Sequence, residues 1–215
     1  MKKAVIFDLD GTLIHSLPDI AAAMNRTLKR FGLPVFPEEE YKYKVGNGVL
    51  KLTERVIGER REMFDQVLNA YKQDYAQNSQ VNSVPFQGVT EMLLRLHENG
   101  LLLSVLTNKD QSDAENVLHH YFPEVSFAEI LGRQEGIRLK PDPQGALILA
   151  RRMNVLPQEC WYVGDTATDM QCGNAAGMAT VGVLWGYRPR EELVSNGAGR
   201  LISAPDELVQ LTLHF

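Results

Sequence analysis

The stretch VIFDLDGTLIHS, Val5 to Ser16, ends an apolar, β-favouring run directly on two carboxylates, Asp8 and Asp10, with one leucine between them. Acids at i and i+2 repel each other unless something positive sits close by. Gly11 and Thr12 then force a turn, so the pair stands at the mouth of a strand rather than inside it. A lone D-x-D at such a place is more often a solvated turn than a site. Its meaning depends on what the rest of the chain brings alongside.

Further apolar runs recur at Leu101 to Leu106, Phe127 to Leu131, Trp161 to Val163 and Ala179 to Leu184, beside the first at Ala4 to Phe7. Most lack in/out alternation, which is the mark of parallel strands covered on both faces. Helical patterns lie between them: Gly88 to Glu98, Gln111 to Tyr121, Pro143 to Met153 and Asp169 to Ala176. Strand alternating with helix predicts an α/β fold with a doubly wound, parallel, Rossmann-like sheet.

One interval breaks that rhythm. Roughly 90 residues separate the first run from the second, far more than a crossover needs. The interval reads as helices: Pro18 to Phe31, with Ile20, Ala23, Met24, Thr27, Leu28 and Phe31 on one face and Ser16 as N-cap; Val49 to Ile57; and Glu62 to Tyr75, with Val67, Leu68, Tyr71 and Tyr75 as its stripe. The expectation is an all-helical unit of residues 16–82 inserted after the first strand of a core made of residues 1–15 and 83–215.

The chain has 215 residues, 44% of them hydrophobic, and a formal net charge of -5. Its basic residues are scattered, so nucleic acid is not an expected partner. No apolar run approaches the ~20 residues of a membrane helix, and Asp8 and Asp10 arrive before a signal-peptide core could form. Cys160 and Cys172 are too few and too far apart for a disulfide framework or a zinc site. A soluble, cytoplasmic protein is expected.

In open α/β sheets, ligands bind beyond the carboxyl ends of the strands. The residues just past each run are therefore informative. After the first come Asp8 and Asp10; after the second, Thr107-Asn108-Lys109; after the fourth, Gly164-Asp165-Thr166-Ala167-Thr168-Asp169; and past the third and its loop, Lys140-Pro141-Asp142. Carboxylates gathered on one rim call for a cation, and hard oxygens without His or Cys favour Mg²⁺. A hydroxyl, an amide and a lysine suit the oxygens of a phosphoryl group.

These motifs resemble, in order and along essentially the whole chain, those of the haloacid dehalogenase (HAD) superfamily. D-x-D-G-T lies in Val5–Leu13, the second motif in Leu106-Thr107-Asn108-Lys109, the third in Lys140-Pro141, and the fourth in Gly164-Asp165-x-x-x-Asp169. Softer pointers resemble the phosphoglycolate phosphatase-like branch with a helical cap: Gly46-Asn47-Gly48, Pro85-Phe86-Gln87-Gly88-Val89, Trp185-Gly186-Tyr187 and Ala204-Pro205-x-Glu207-Leu208.

The resemblance implies a Mg²⁺-dependent hydrolase of a small soluble phosphate ester, 2-phosphoglycolate first, with sugar phosphates and nucleotides as alternatives. Asp8 would be the nucleophile that forms an aspartyl-phosphate, and Asp10 the general acid and then base, its backbone carbonyl on the metal. Thr107, Asn108 and Lys140 would bind the phosphoryl group. Asp8, Asp10, Asp165 and Asp169 would hold the metal, Asp169 directly or through a water. A β-phosphoglucomutase-like transferase shares these parts. A non-catalytic binding protein of this fold would have no use for the second acid, Asp10.

The helical insertion would be a lid, with Gly46-Asn47-Gly48 either meeting the substrate's anionic end at a helix N-terminus or serving as a plain loop. Lys42, Lys44, Lys51 and Lys109 are expected to be solvated. His15 replaces an aspartate common in the family and is expected to pack at the hinge. Trp185 and Tyr187 either border the entrance or pack.

Overall fold

A computed structural model describes residues 2–213 of the chain. Strand β1 (Ala4–Phe7) is followed by β2 (Ile14–His15) and by helices α1 (Leu17–Arg30), α2 (Glu38–Tyr41), α3 (Gly48–Ile57) and α4 (Phe64–Asn78). After β3 (Val84–Pro85) come α5 (Val89–Glu98), β4 (Leu102–Asp110), α6 (Gln111–Tyr121), β5 (Glu129–Arg133) and α7 (Gln144–Arg152). The chain closes with β6 (Cys160–Gly164), α8 (Ala167–Ala175), β7 (Ala179–Val183), α9 (Arg190–Ser195), β8 (Arg200–Ile202) and α10 (Pro205–Leu213).

The main sheet has six strands in the order β5-β4-β1-β6-β7-β8, and its pairings are parallel. β1 is buried on both faces, as its continuous apolar run predicts. Val5 and Phe7 join a cluster with Leu93 of α5, Val117 of α6 and Leu208 of α10. Ala4 and Ile6 point the other way, to Ala146 and Leu149 of α7 and Cys172 of α8. The order reverses between β1 and β6, so the ligand crevice of this topology opens beside Asp8 and Asp165.

Helices α1 to α4 gather around apolar residues of their own, including Ile20, Met24, Leu52, Val67, Tyr71 and Tyr75. The expected face of α1 is the buried one: Ile20, Ala23, Met24, Thr27 and Leu28 are all shielded, with Phe31 half-buried just past its end. The helical cap and the sheet are joined where the chain crosses twice. There β2 and β3 pair antiparallel, Ile14 with Pro85 and His15 with Val84. His15 packs there as expected, its ring 5.5 Å from Phe86 and 6.0 Å from Tyr187.

Several expectations need correction. Ser16 does not cap α1 with its side chain; its backbone is already helical, at φ -93° and ψ -6°, and its hydroxyl donates to Asp10 at 2.6 Å. A capping side chain needs an extended backbone to reach the first free N–H groups, and a carboxylate is the stronger acceptor. The Tyr187 hydroxyl oxygen accepts those N–H bonds instead, from Ser16 at 3.0 Å and Leu17 at 3.1 Å. The third strand lies two residues later than its apolar run, with Phe127 stacking edge-on against Phe122. The ribbon β2–β3 and strand β8 are too short to show a period in sequence. No helix among the described residues is long and apolar enough to cross a membrane, and both cysteines are free and buried.

Asp19 ties the two crossings together. Its carboxylate, 1% exposed, accepts hydrogen bonds from the N–H groups of Val81, Asn82 and Ser83 and from the Asn82 and Ser83 side chains, at 2.7 to 3.0 Å. Burial pushes its carboxyl up, but these bonds outweigh it and hold the group below the usual carboxylate range. The contribution is therefore present above the unfolded carboxyl's pKa and is lost as pH falls through the lower folded value. Asp19→Ala is expected to lower stability by about 2–3 kcal/mol in urea titrations near neutrality, and Asp19→Asn to flatten the acid limb of stability against pH.

Candidate active site

Residues from separate strand ends converge on one point. Asp8 leaves β1, its N–H donating to the Val163 carbonyl of β6 at 2.8 Å. Asp165 directly follows the end of β6. Asp169 lies in the first turn of α8, where its Oδ2 accepts from the N–H (3.0 Å) and hydroxyl (2.6 Å) of Thr166 and caps the helix. One ligand oxygen from each of Asp8, Asp165 and Asp169 falls within 4.8 Å of the others, and all three residues are buried.

A single ammonium enters this cluster. Lys140 Nζ donates to Asp8 Oδ1 at 2.6 Å and to Asp169 Oδ1 at 2.7 Å, with the lysine 5% exposed. Among the described residues, Asp165 accepts hydrogen bonds from two neutral donors, the Thr12 hydroxyl at 3.1 Å and the Tyr187 N–H at 2.8 Å, and Arg188 acts on it through its charge alone. One ammonium bonded among three buried carboxylates, with Arg188 acting on Asp165 without a hydrogen bond to it, leaves negative charge in excess. Burial, then the charge of Asp169, holds the Asp8 carboxyl well above its ordinary range in spite of Lys140. The same two causes push Asp165 up to about 7. Three hard oxygen donors with surplus negative charge and no nitrogen or sulfur ligand fit a divalent cation.

Asp10 is kept apart from this cluster. Its carboxylate accepts from the Ser16 hydroxyl at 2.6 Å, and Lys109 Nζ reaches both of its oxygens at 2.9 Å. Lys109 is thus not solvated, contrary to expectation: its side chain is 6% exposed and its ammonium lies 4.8 Å from the centre of the Tyr75 ring. The reason is tertiary. α4 folds over the end of β4, and the buried lysine keeps its charge by pairing with Asp10. Lys42 and Lys51 do pair at the surface, with Glu39 and Glu54, whereas Lys44 is mostly covered, its ammonium 4.2 Å from the Phe36 ring centre and 3.5 Å from Glu40.

Beyond Leu106 the pairing of β4 with β5 shifts register, and this irregular stretch carries Thr107, Asn108 and Lys109 to the pocket. The Asn108 side chain is occupied. Its Oδ1 accepts the Lys140 N–H at 2.9 Å, while its Nδ2 donates to the carbonyls of Lys140 and Gly46, each at 3.1 Å. It thereby fixes Lys140 and draws the 46–48 loop onto the site. Gly46 and Gly48 line the pocket; Asn47 does not, and its Oδ1 accepts from Arg55 at 2.7 Å. At Gly48, φ is +80° and a Cβ would come 3.0 Å from the Asn108 carbonyl, so the close approach requires glycine. Ile20, Val45, Val49, Leu52, Tyr71 and Tyr75 form the pocket's apolar wall.

The chain matches the model of the haloacid dehalogenase-like hydrolases over residues 5–183. It belongs to that family. Among curated members of the family, a phosphoglycolate phosphatase of Haemophilus influenzae is 34% identical over 194 residues, 86% of this chain and 87% of its own. A phosphoglycolate phosphatase of Aquifex aeolicus is 33% identical over 211 residues, 97% of this chain and 96% of its own. The crystal structure of a predicted phosphoglycolate phosphatase from Haemophilus somnus superposes with a TM-score of 0.90 at 27% identity, covering 98% of each chain. The HAD-like core and helical cap are therefore shared along the whole length.

Two residues outside the obvious motif acids shape this hydrolase's site. Tyr187 gives its N–H to Asp165, and its hydroxyl oxygen accepts from the start of α1. Gly186 leaves room for Asp165, since a Cβ there would lie 2.2 Å from the Asp165 Cβ. Gly186→Ala is expected to displace that carboxylate and weaken Mn²⁺ binding, followed by electron paramagnetic resonance, by about 10-fold or more. With Asp8 and Asp165 raised, the cation-free fold binds more protons than the unfolded chain, so its stability falls as pH rises from about 4 through about 7. A chelator-treated sample should melt lower near pH 8 than near pH 6, and an added divalent cation should restore more stability at the higher pH.

Proposed function

We propose that this phosphatase is a Mg²⁺-dependent phosphomonoesterase with 2-phosphoglycolate as its first candidate substrate. The observation that carries the proposal is the separation of two neighbouring acids: Asp8 is held by Lys140 within the acidic triad, and Asp10 by Ser16 and Lys109 outside it. Two carboxylates so close in sequence can take different roles only if their surroundings differ. The names of relatives 30–34% identical support the choice of substrate, and the free cysteines support a cytoplasmic location.

In this scheme the Asp8 carboxylate attacks phosphorus in line, forming the aspartyl-phosphate bond as the bond to the leaving oxygen breaks. Asp10 gives its proton to that oxygen. It then takes a proton from the water that cleaves the aspartyl-phosphate, returning Asp8 and releasing phosphate. Lys140 and Thr107 bind the phosphoryl oxygens, and the 106–109 segment carries Asn108 to fix Lys140. The side chains of Asp8, Asp165 and Asp169, with the Asp10 carbonyl, would hold Mg²⁺, which supplies positive charge against the repulsion between carboxylate and phosphate. The helical unit of residues 16–82 acts as a lid that excludes bulk water.

Phosphate release would be measured with Mg²⁺ on 2-phosphoglycolate, hexose phosphates, nucleotides and p-nitrophenyl phosphate. One ester at least ~100-fold above the rest would name the substrate. Asp8→Asn should lose about 1,000-fold or more on every ester, and activity equal to wild type would sink the nucleophile assignment. Asp10→Asn should give a burst of p-nitrophenol followed by turnover slowed about 100-fold or more, because that leaving group needs no proton but the hydrolytic water still needs a base.

A further inference from the structure

The pocket wall facing Asp10 is mostly apolar, with the buried Lys109 set into it and the carboxylates of Asp110 and Asp113 also in its lining. Lys109 Nζ makes its 2.9 Å bonds to both oxygens of Asp10. An ammonium has three N–H donors, and among the described residues no third acceptor meets this one. Directly beside it is Tyr75 of α4, whose ring centre is 4.8 Å away. The Tyr75 hydroxyl is buried and, among the described residues, has no hydrogen-bond partner. A buried donor left unpaired costs free energy that a ligand oxygen would relieve.

We propose that Lys109, assisted by the Tyr75 hydroxyl, is the specificity-determining residue that recognises a carboxylate on the leaving group. The proposal rests on the phosphomonoesterase scheme, because it depends on distance from Asp10. Asp10 must reach the leaving oxygen. In 2-phosphoglycolate one methylene separates that oxygen from the carboxylate. A cation within hydrogen-bond distance of Asp10 therefore stands where the carboxylate must lie. Ile20, Val49, Leu52 and Tyr71 line the same pocket, and apolar walls strengthen a charge pairing; Asp113, also in the lining, adds negative charge near Lys109 that the pairing has to outweigh. Among the pocket's lining residues the other lysine, Lys72, is already paired with Asp110 at 2.8 Å and is 36% exposed.

The test compares kcat/KM for 2-phosphoglycolate and for ethyl phosphate, which carries a methyl group in place of the carboxylate. The wild-type preference for 2-phosphoglycolate should collapse by about 30-fold in Lys109→Met, chiefly through KM, and by about 5-fold in Tyr75→Phe, which keeps the ring. Lys109→Arg should recover part of it. Equal losses on both esters would mean that Lys109 only holds Asp10, and would overturn the proposal. So would a collapse in Lys72→Met in place of Lys109→Met. Tyr75→Phe alters one hydroxyl, so it remains informative if Lys109→Met fails to fold, and an unchanged ratio there removes the hydroxyl from the subsite. A wild-type enzyme that hydrolyses phosphate esters without preferring 2-phosphoglycolate defeats the substrate assignment itself. One that prefers it, with the preference intact in Lys109→Met, defeats only the subsite.

Discussion

The ammonium of Lys140 stands between Asp8 and Asp169 in a place that water barely reaches. Removing one partner from a buried ion pair costs on the order of 3–5 kcal/mol, because the other charge stays behind uncompensated. Much of the local architecture serves to keep this ammonium where it is. Asn108 holds the Lys140 backbone at both its N–H and its carbonyl, and Thr166 fixes the far oxygen of Asp169. Strand β1 delivers Asp8 from the centre of the sheet, where flanking strands leave it no freedom. Even so, one lysine does not balance the acids, and that imbalance suits the cluster to a divalent cation.

The same groups tie the helical cap to the sheet. Asn108 reaches from the β4 end to the Gly46 carbonyl. Tyr187 holds Asp165 with its backbone and the first N–H groups of α1 with its side chain. Ser16, the first residue past the ribbon, bonds to Asp10. The start of α1 is thus linked to Asp10 through Ser16 and to Asp165 through Tyr187. Asp19 grips residues 81–83 from α1, holding the two crossings together. Shared charges and shared donors make this coupling short-ranged and directional, which apolar contact alone would not.

The alternation of buried strands with amphipathic helices was legible because both faces of a parallel sheet must be covered, and that leaves continuous apolar runs. The motif acids were legible for a similar reason, since Asp8, Asp10, Asp165 and Asp169 come soon after those runs. Lys109 was not. Nothing local distinguishes a lysine after Thr107-Asn108 that points to solvent from one that points beneath α4. Ser16 misled for the opposite reason: its type suits a cap, but a carboxylate six residues earlier outcompeted the helix for its hydroxyl. Gly186 and Tyr187 carried only a weak signal, because their partners lie far away in sequence.

By itself, then, the amino-acid sequence determined the sheet, the insertion point of the helical cap and the order of polar stations along one rim. These come from periodicity and from the residues that immediately succeed each strand, which are local properties of the chain. Only the tertiary structure decided which charges meet. Lys140 joined Asp8 and Asp169, Lys109 joined Asp10 under the Tyr75 ring, and Tyr187 became the cap of a helix whose start lies 170 residues earlier. Electrostatic and hydrogen-bond partners are chosen by distance in space and by exclusion of water, and neither is written in spacing along the chain.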